Sequence, residues 1–389
     1  MTRIFVRGAG AVSPAGWGVE PLLTALRAGD PLPSVESCSR GRESAPSRAA
    51  EQRDPNDHRR PTLAAAAYQS TQQFKEDQAL LHELRAPSGS RRFAARLVPT
   101  PVPRPAWLAH PRLRRASGIS QFALSAALEA IESAPGTVLD ATRLGIVTGT
   151  HTASIRYSER FFGEVLDNPA TASPMLFPET VMNAPASHMA AFLGCTGLCY
   201  SLVADQTAFV QALVVGCQWL VDERVDTCLV VGMDEAAWPL ADALDHFAHG
   251  LPVSEGAGAL LLTRQPGTPP AVELKCITDA HLYAAAATKE PAARAMRSQL
   301  PAESPGELLV DSRSGAPRLD RAETLAWADW RGARISPRLA LGEGLCAATA
   351  WQFVAARAAL TCGSARAANI SVVGANLQSV GARFELAEE

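Results

Sequence analysis

The side chains that could do chemistry sit at one turn and in the second half of the sequence. Gly197–Leu213 reads as a buried strand, a sharp turn and then a hydrophobic helix, with Gln206 at the turn. The start of a helix favours a thiolate or another anion, because its dipole and free N–H groups point there. Gln206 offers an amide instead, which has no usable nucleophilicity. The eight histidines stand at 58, 82, 110, 151, 188, 246, 249 and 281, so none follows His281. Ser312 therefore has no histidine near it in sequence to serve as a base. The eight cysteines are scattered through the chain without a Cys-x-x-Cys pair, which argues against a zinc site or a redox pair. Cys195, Cys199 and Cys217 read as small buried apolar residues, and His188 as a packed core histidine. No metal ligand set and no cofactor is expected.

The elements that position these residues alternate between strand and helix. Residues 3–13 form an apolar strand that runs into Gly/Pro turn chemistry. Its Gly-Ala-Gly lacks the third glycine and the later acidic residue of a dinucleotide loop. Ser117–Ile131 has apolar residues at helical spacing, and Leu144–Thr150 is a short buried strand. A helix over 206–221 follows the turn, and Thr227–Met233 is a fully apolar strand, as in a sheet covered on both faces. Gly256–Thr263 and Ala271–Ile277 open a second strand-rich half, which Leu308–Val310, a helix around 345–360 and Asn369–Val373 complete. Two such halves in succession imply a layered α/β architecture, divided into 1–250 and 251–389. From 31 to about 116 the chain is rich in Pro, Ser and Arg and reads as a decorated surface insertion, with helical patches near 62–85. Trp327, Trp330 and Trp351 read as core or interface anchors.

Composition narrows the partners. A chain of 389 residues that is 47% hydrophobic can bury a large core. A net charge of −3 makes nucleic acid an unexpected partner. The opening residues lack a signal peptide's apolar run, and no run is long enough to span a bilayer, so a reduced, cytoplasmic α/β protein is expected.

Several stretches, in order, resemble the β-ketoacyl synthases, the condensing enzymes of fatty-acid and polyketide synthesis. Gly8–Gly16 is similar to the family's opening strand and turn, Ser173–Gly194 to the helix before its nucleophile elbow, and Gly197–Leu213 to the elbow itself. Asp226–Glu235 resembles the strand with a terminal acidic residue, Ser254–Leu262 the start of the second half, and Asp320-Arg-Ala-Glu-Thr324 the family's Asp-Lys-Ala-Glu-Thr. The resemblance implies a thiolase-like, five-layered αβαβα sandwich of two similar halves. It also implies that Gln206 stands where the family has its nucleophilic cysteine. Ser312 and Glu343 then occupy the positions of the two catalytic histidines, and Arg338 that of the supporting lysine. Ala375–Gly381 replaces the family's glycine-rich Phe-Gly-Phe-Gly-Gly-Thr-Asn loop.

These losses act in combination. An amide alone at the elbow is compatible with a malonyl-carrier-protein decarboxylase that primes chains, but that chemistry needs donors for the developing enolate. A serine and an anionic Glu343 do not supply them. A freestanding acyltransferase built on Ser312, Glu343 or Asp205 is the other alternative. Within the family, the pattern resembles the chain length factor of type II polyketide and aryl polyene systems. That subunit is inert, pairs with an active ketosynthase paralogue as a heterodimer, and shapes the tunnel in which the product grows on an acyl carrier protein. By the same resemblance, the gating side chains would be Thr152, Ile155 and Arg156. Arg156 is expected to point away from an apolar tunnel or to close its end by pairing with a carboxylate, since an unpaired buried charge is costly. The basic run 112–115 is a solvated face or a contact for an acidic carrier protein.

Overall fold

The computed structural model describes residues 2–38, 92–113, 116–246, 248–302 and 304–387. The helical patches expected near 62–85, most of the insertion, and Arg114 and Arg115 lie outside the described residues.

Ten strands hydrogen-bond in one series: Ala333–Ile335, Glu307–Val310, Ala367–Val373, Gln378–Leu386, Val272–Ile277, Ile4–Ser13, Gly256–Thr263, Thr227–Asp234, Leu144–Thr150 and Cys199–Val203. The series divides into two sets of the same design. Starting from Ile4–Ser13, successive pairings run antiparallel, antiparallel, parallel, parallel. Starting from Val272–Ile277, they run in that same sequence again. Only Ile4↔Leu274 and Phe5↔Glu273 join one set to the other. Gly256–Thr263, which the sequence groups with the second half, pairs with Ile4–Ser13 and Thr227–Asp234 and so lies in the first set.

Helices alternate with these sets. Gly118–Glu132 covers the outer face of the first set, with Ser117 capping it by accepting the N–H of Ser120. Ala286–Ser298 and Pro317–Ala326 cover the outer face of the second. Between the sets run the elbow helix Ala208–Val221 and the helix Leu345–Thr361, the latter buried along nearly its whole length. Its alanines favour the helix and allow close approach. The strands meet it with glycine. A Cβ on Gly232 or Gly258 would lie 2.9 or 2.7 Å from the Ala350 side chain. Trp351 locks the packing by donating its indole N–H to the carbonyls of Val12 and Ala257, both at 3.1 Å. The result is five layers, helix–sheet–helix–sheet–helix, with separate apolar clusters between them, the largest around the two central helices.

Two local expectations change. The stretch 173–192 is not one helix. A 3₁₀ turn at Phe177–Glu179 precedes a helix confined to Ala184–Leu193, because Pro178 and Pro185 lack the N–H that a continuous helix would need. The insertion's ends are not irregular either: Val35–Cys38 pairs antiparallel with Arg92–Arg96, which pairs parallel with Val253–Ser254. Arg96 is buried there and donates to the carbonyls of Leu339 and Ala340.

Candidate functional site

The strand Cys199–Val203 leads into the turn, and the elbow helix begins at Ala208. Asp205 and Gln206 are both buried. Asp205 Oδ1 accepts the Thr207 N–H at 3.0 Å and its hydroxyl at 2.6 Å, which satisfies the turn. Its other oxygen accepts the N–H groups of Asn376 (3.3 Å) and Leu377 (3.2 Å). Gln206 Oε1 accepts the N–H of Ala375 at 2.9 Å. The elbow thus fastens the loop 374–377. Gly374 is required for this, since a Cβ there would lie 2.3 Å from Asp205 Oδ2.

Ser312 follows the strand Glu307–Val310 and faces the helix carrying the Asp-Arg-Ala-Glu-Thr run. Its hydroxyl donates to Glu323 Oε2 at 2.7 Å and accepts the Val373 N–H at 3.1 Å. Ser371 donates to the other Glu323 oxygen. Burial, then the neighbouring Asp311, pushes the Glu323 carboxyl up to about 7. Arg338 and Glu343 form a buried pair at 3.3 Å. Glu343 also accepts the N–H of Leu345 at 2.8 Å, and Arg338 donates to the Thr349 hydroxyl at 3.2 Å.

One small cavity of about 60 Å³ touches Gln206, Ser312, Arg338 and Glu343, so the structure brings these four residues together. At roughly 10–15 Å³ per water it holds a few waters and no acyl chain. Lys289, from Ala286–Ser298, lines it as well, and burial lowers the pKa of its ammonium. Among the described residues lining the cavity, no nucleophile stands beside an unengaged base. Sequence reasoning missed Lys289, whose neighbours Ala-Ala-Thr and Glu-Pro read as an ordinary solvated helix face.

Thr152, Ile155 and Arg156 do not line this cavity. They surround the end of Thr227–Asp234, where Asp234 Oδ1 accepts the N–H of Thr152 at 2.9 Å and its hydroxyl at 3.1 Å. Ile155 opens the helix Ile155–Asp167 and is half-buried. Arg156 donates to Glu255 at 2.7 Å and to the carbonyl of Ala236 at 2.8 Å. Glu235 bridges two helix starts, accepting the N–H of Ile119 at 3.3 Å and of Arg156 at 3.2 Å. Burial pushes its carboxyl up to about 7.

Beside this region lies an exposed apolar face. Ile155–Asp167 has no buried residue, and Phe162, Met175, Phe177, Met182, Tyr200 and Val203 are all exposed large apolar side chains. Cys199–Val203 pairs on one side only, leaving an open edge among the described residues. Cys199 is consequently exposed rather than buried. His188 is half-buried and hydrogen-bonded through Nε2 to Glu179 at 2.8 Å rather than packed in the core. The three tryptophans are buried in the core. Among the described residues no group of three or more His, Cys, Asp or Glu could hold a metal ion, and no helix is long and apolar enough to cross a membrane.

Comparison with known proteins places this geometry. Residues 104–266 match the family model described as Beta-ketoacyl synthase, N-terminal domain. No curated protein matches the chain. Among solved structures, it is similar to the ishigamide ketosynthase/chain length factor, with 17% identity, a TM-score of 0.73, and 99% of this chain and 100% of that one covered. It is similar to a β-ketoacyl synthase from Burkholderia phymatum STM815 at 16% identity and TM-score 0.69, covering 100% of both chains. A ketosynthase (ApeO) in complex with its chain length factor (ApeC) from Xenorhabdus doucetiae matches at 13% identity and TM-score 0.69, covering 99% of this chain and 98% of that one. The chain is β-ketoacyl synthase-like and has the thiolase-like fold.

Proposed function

We propose that this chain is a non-catalytic, chain-length-factor-like subunit that pairs with a cysteine-bearing ketosynthase and shapes the acyl tunnel during polyketide or polyene elongation on an acyl carrier protein. One observation carries the reading: the elbow pocket is filled by its own hydrogen bonds. Gln206 is fastened to Ala375, Ser312 to Glu323 and Val373, and Glu343 to Arg338 and Leu345. Gln206 is an amide rather than a thiol, and neither Ser312 nor the anionic Glu343 supplies the imidazole donor that would stabilise an enolate as it forms. The exposed apolar face and the open strand edge beside the elbow support a partner, because contiguous apolar patches of this kind mark interaction surfaces. A heterodimer interface of roughly 2,000 Å² or more, typical of permanent complexes, would cover it. Thr152 and Ile155 then belong to the tunnel wall, and the Arg156–Glu255 pair closes the tunnel's end. We place the subunit in the cytoplasm with its carrier protein.

The test is co-expression with a candidate ketosynthase, followed by mass spectrometry after incubation with malonyl-carrier protein. The pair should co-purify and elongate, and this chain alone should neither release carbon dioxide nor gain an acyl group. The 2.7 Å contact of Ser312 with Glu323, a carboxyl poised near neutrality, favours acyl transfer through Ser312 as the second reading. An acyl adduct mapped to Ser312 would establish that reading and end the first.

A further inference from the structure

We propose that residues 155–183 form an arm that opens as a separate unit in the free chain and is ordered when the ketosynthase partner seats on its apolar side chains. The segment runs between two buried residues, Ser154 and Ala184. Of the positions between them, Leu176 and Glu179 alone are buried. Yet its composition is that of a core, with Phe161, Phe162, Leu166, Leu176, Phe177 and Met182 among its side chains. None of its residues belongs to the apolar clusters that hold the sheets and the central helices together. Phe161 packs within the arm, against Phe177 at 5.7 Å between ring centres.

The arm is fastened near its ends by polar contacts. At the start, Arg156 reaches Glu255 and the Ala236 carbonyl, and Glu159 accepts the indole N–H of Trp238 at 2.8 Å. At the far end, Glu179 meets His188 Nε2 at 2.8 Å. Glu164 and Ser158 bind within the arm instead: Glu164 accepts the Ser173 N–H at 2.9 Å, and Ser158 donates to the Thr180 carbonyl at 3.3 Å. The helix Ile155–Asp167 is 13 residues long, and Ser154 at its N-cap makes no side-chain capping bond. A helix of about that length is marginal in water unless it buries an apolar face. Ala153, just before it, has φ of 45°, a left-handed conformation that is strained for a residue with a Cβ. A segment with so few buried contacts opens locally, well below the free energy of global unfolding.

The partner's part in this rests on the heterodimer reading and deepens it. The arm leaves the sheet after Leu144–Thr150, the strand next to the open edge Cys199–Val203. A partner laid along that edge therefore meets the arm as well. Thr152 and Ile155 stand at the arm's root, so ordering the arm and forming the tunnel wall become one event. Part of the binding free energy is then spent on ordering, as in other associations coupled to folding.

The experiment is amide hydrogen exchange read by mass spectrometry, on the full chain alone and on the chain co-purified with the candidate ketosynthase. In the free chain, the helix Ile155–Asp167 should exchange at least about 100-fold faster than the buried helix Leu345–Thr361, and in the pair it should slow by about ten-fold or more. Trp238→Phe keeps a ring and removes the donor to Glu159. It should speed exchange of the arm by about three- to ten-fold and leave Leu345–Thr361 unchanged. Exchange in the free chain as slow as that of Leu345–Thr361 would overturn the separate unit. A Trp238→Phe effect spread equally over both helices, or missing from the arm, would overturn it too. A pair that forms by light scattering while the arm exchanges as in the free chain would overturn the partner's role in ordering it. Failure of the pair to form is a different result. It sinks the heterodimer reading and the partner's role together, whereas the free-chain rates still decide whether the arm opens by itself.

Discussion

Gln206 and Ala375 lie 169 residues apart in the chain, yet the side-chain oxygen of one accepts the backbone N–H of the other at 2.9 Å. Gln206 is thus a fastener for the loop 374–377, which lines the pocket. Gln206→Leu removes the hydrogen bond to the Ala375 N–H and should lower unfolding free energy by about 0.5–1.5 kcal/mol in urea melts. Gln206→Cys should create a thiol but no condensation, since Ser312 is held by Glu323 and Glu343 by Arg338, and neither supplies an imidazole. A carbon dioxide release assay on that variant checks this.

Arg156 and Glu255 form the second test. Glu255 is almost fully buried, and Arg156 is its only cationic partner among the described residues. Arg156→Met should cost about 1.5–3 kcal/mol, the usual worth of a hydrogen bond to a charged group. Most of the loss should vanish in a Glu255→Gln background, and a double-mutant cycle measures that coupling.

Glu235 sets a pH dependence. Its folded carboxyl titrates at about 7, against 4.5 for an unburied one, with Arg156 and Glu255 the nearby charges. Between those values the folded chain keeps a proton that the unfolded chain has released, so this group makes stability fall as pH rises. Glu235→Gln removes the titration. The difference in unfolding free energy between variant and parent should therefore shift in the variant's favour from about pH 5 to about pH 8.

The exposed apolar face predicts a fourth outcome. Tyr200→Arg with Val203→Arg should abolish co-purification with the ketosynthase, seen by size exclusion with light scattering. Both side chains are about half exposed, so the isolated chain should stay folded, losing about 0.5–1.5 kcal/mol where Tyr200 leaves its edge-on contact with Trp219.

Product length supplies the last prediction. Ile155→Ala with Thr152→Ala should lengthen the polyene or polyketide made by the reconstituted pair, read by mass spectrometry. Ile155 should carry most of the effect, because the Thr152 hydroxyl is turned toward Asp234.

The sequence made some of this legible and hid the rest for physical reasons. Gln206 was readable because a strand, a turn and an apolar helix have distinct periodicities over a few residues. Ser312 and Glu343 were readable because each sits a fixed step from a local motif. Lys289 was not, since an alanine-rich, charged helix looks the same whether its lysine meets water or a cavity. The role of Asp234 was also hidden. Its two oxygens tie Thr150–Thr152 to the start of Leu345–Thr361, a link between residues 112 apart that no window along the chain contains. The strands Val35–Cys38 and Arg92–Arg96 escaped for a similar reason, since they pair across the long insertion.

The strand Ile4–Ser13 has as its neighbours Gly256–Thr263 and Val272–Ile277. During synthesis at roughly 5–20 residues per second, it would wait on the order of 10–50 s before either emerges. For that time an apolar strand, paired only at Val12–Ser13 with Gly16–Trp17, is exposed to other nascent chains. Translation speed and holdase chaperones therefore bear on the yield of this protein, and slowing the ribosome between these segments should increase aggregation rather than relieve it.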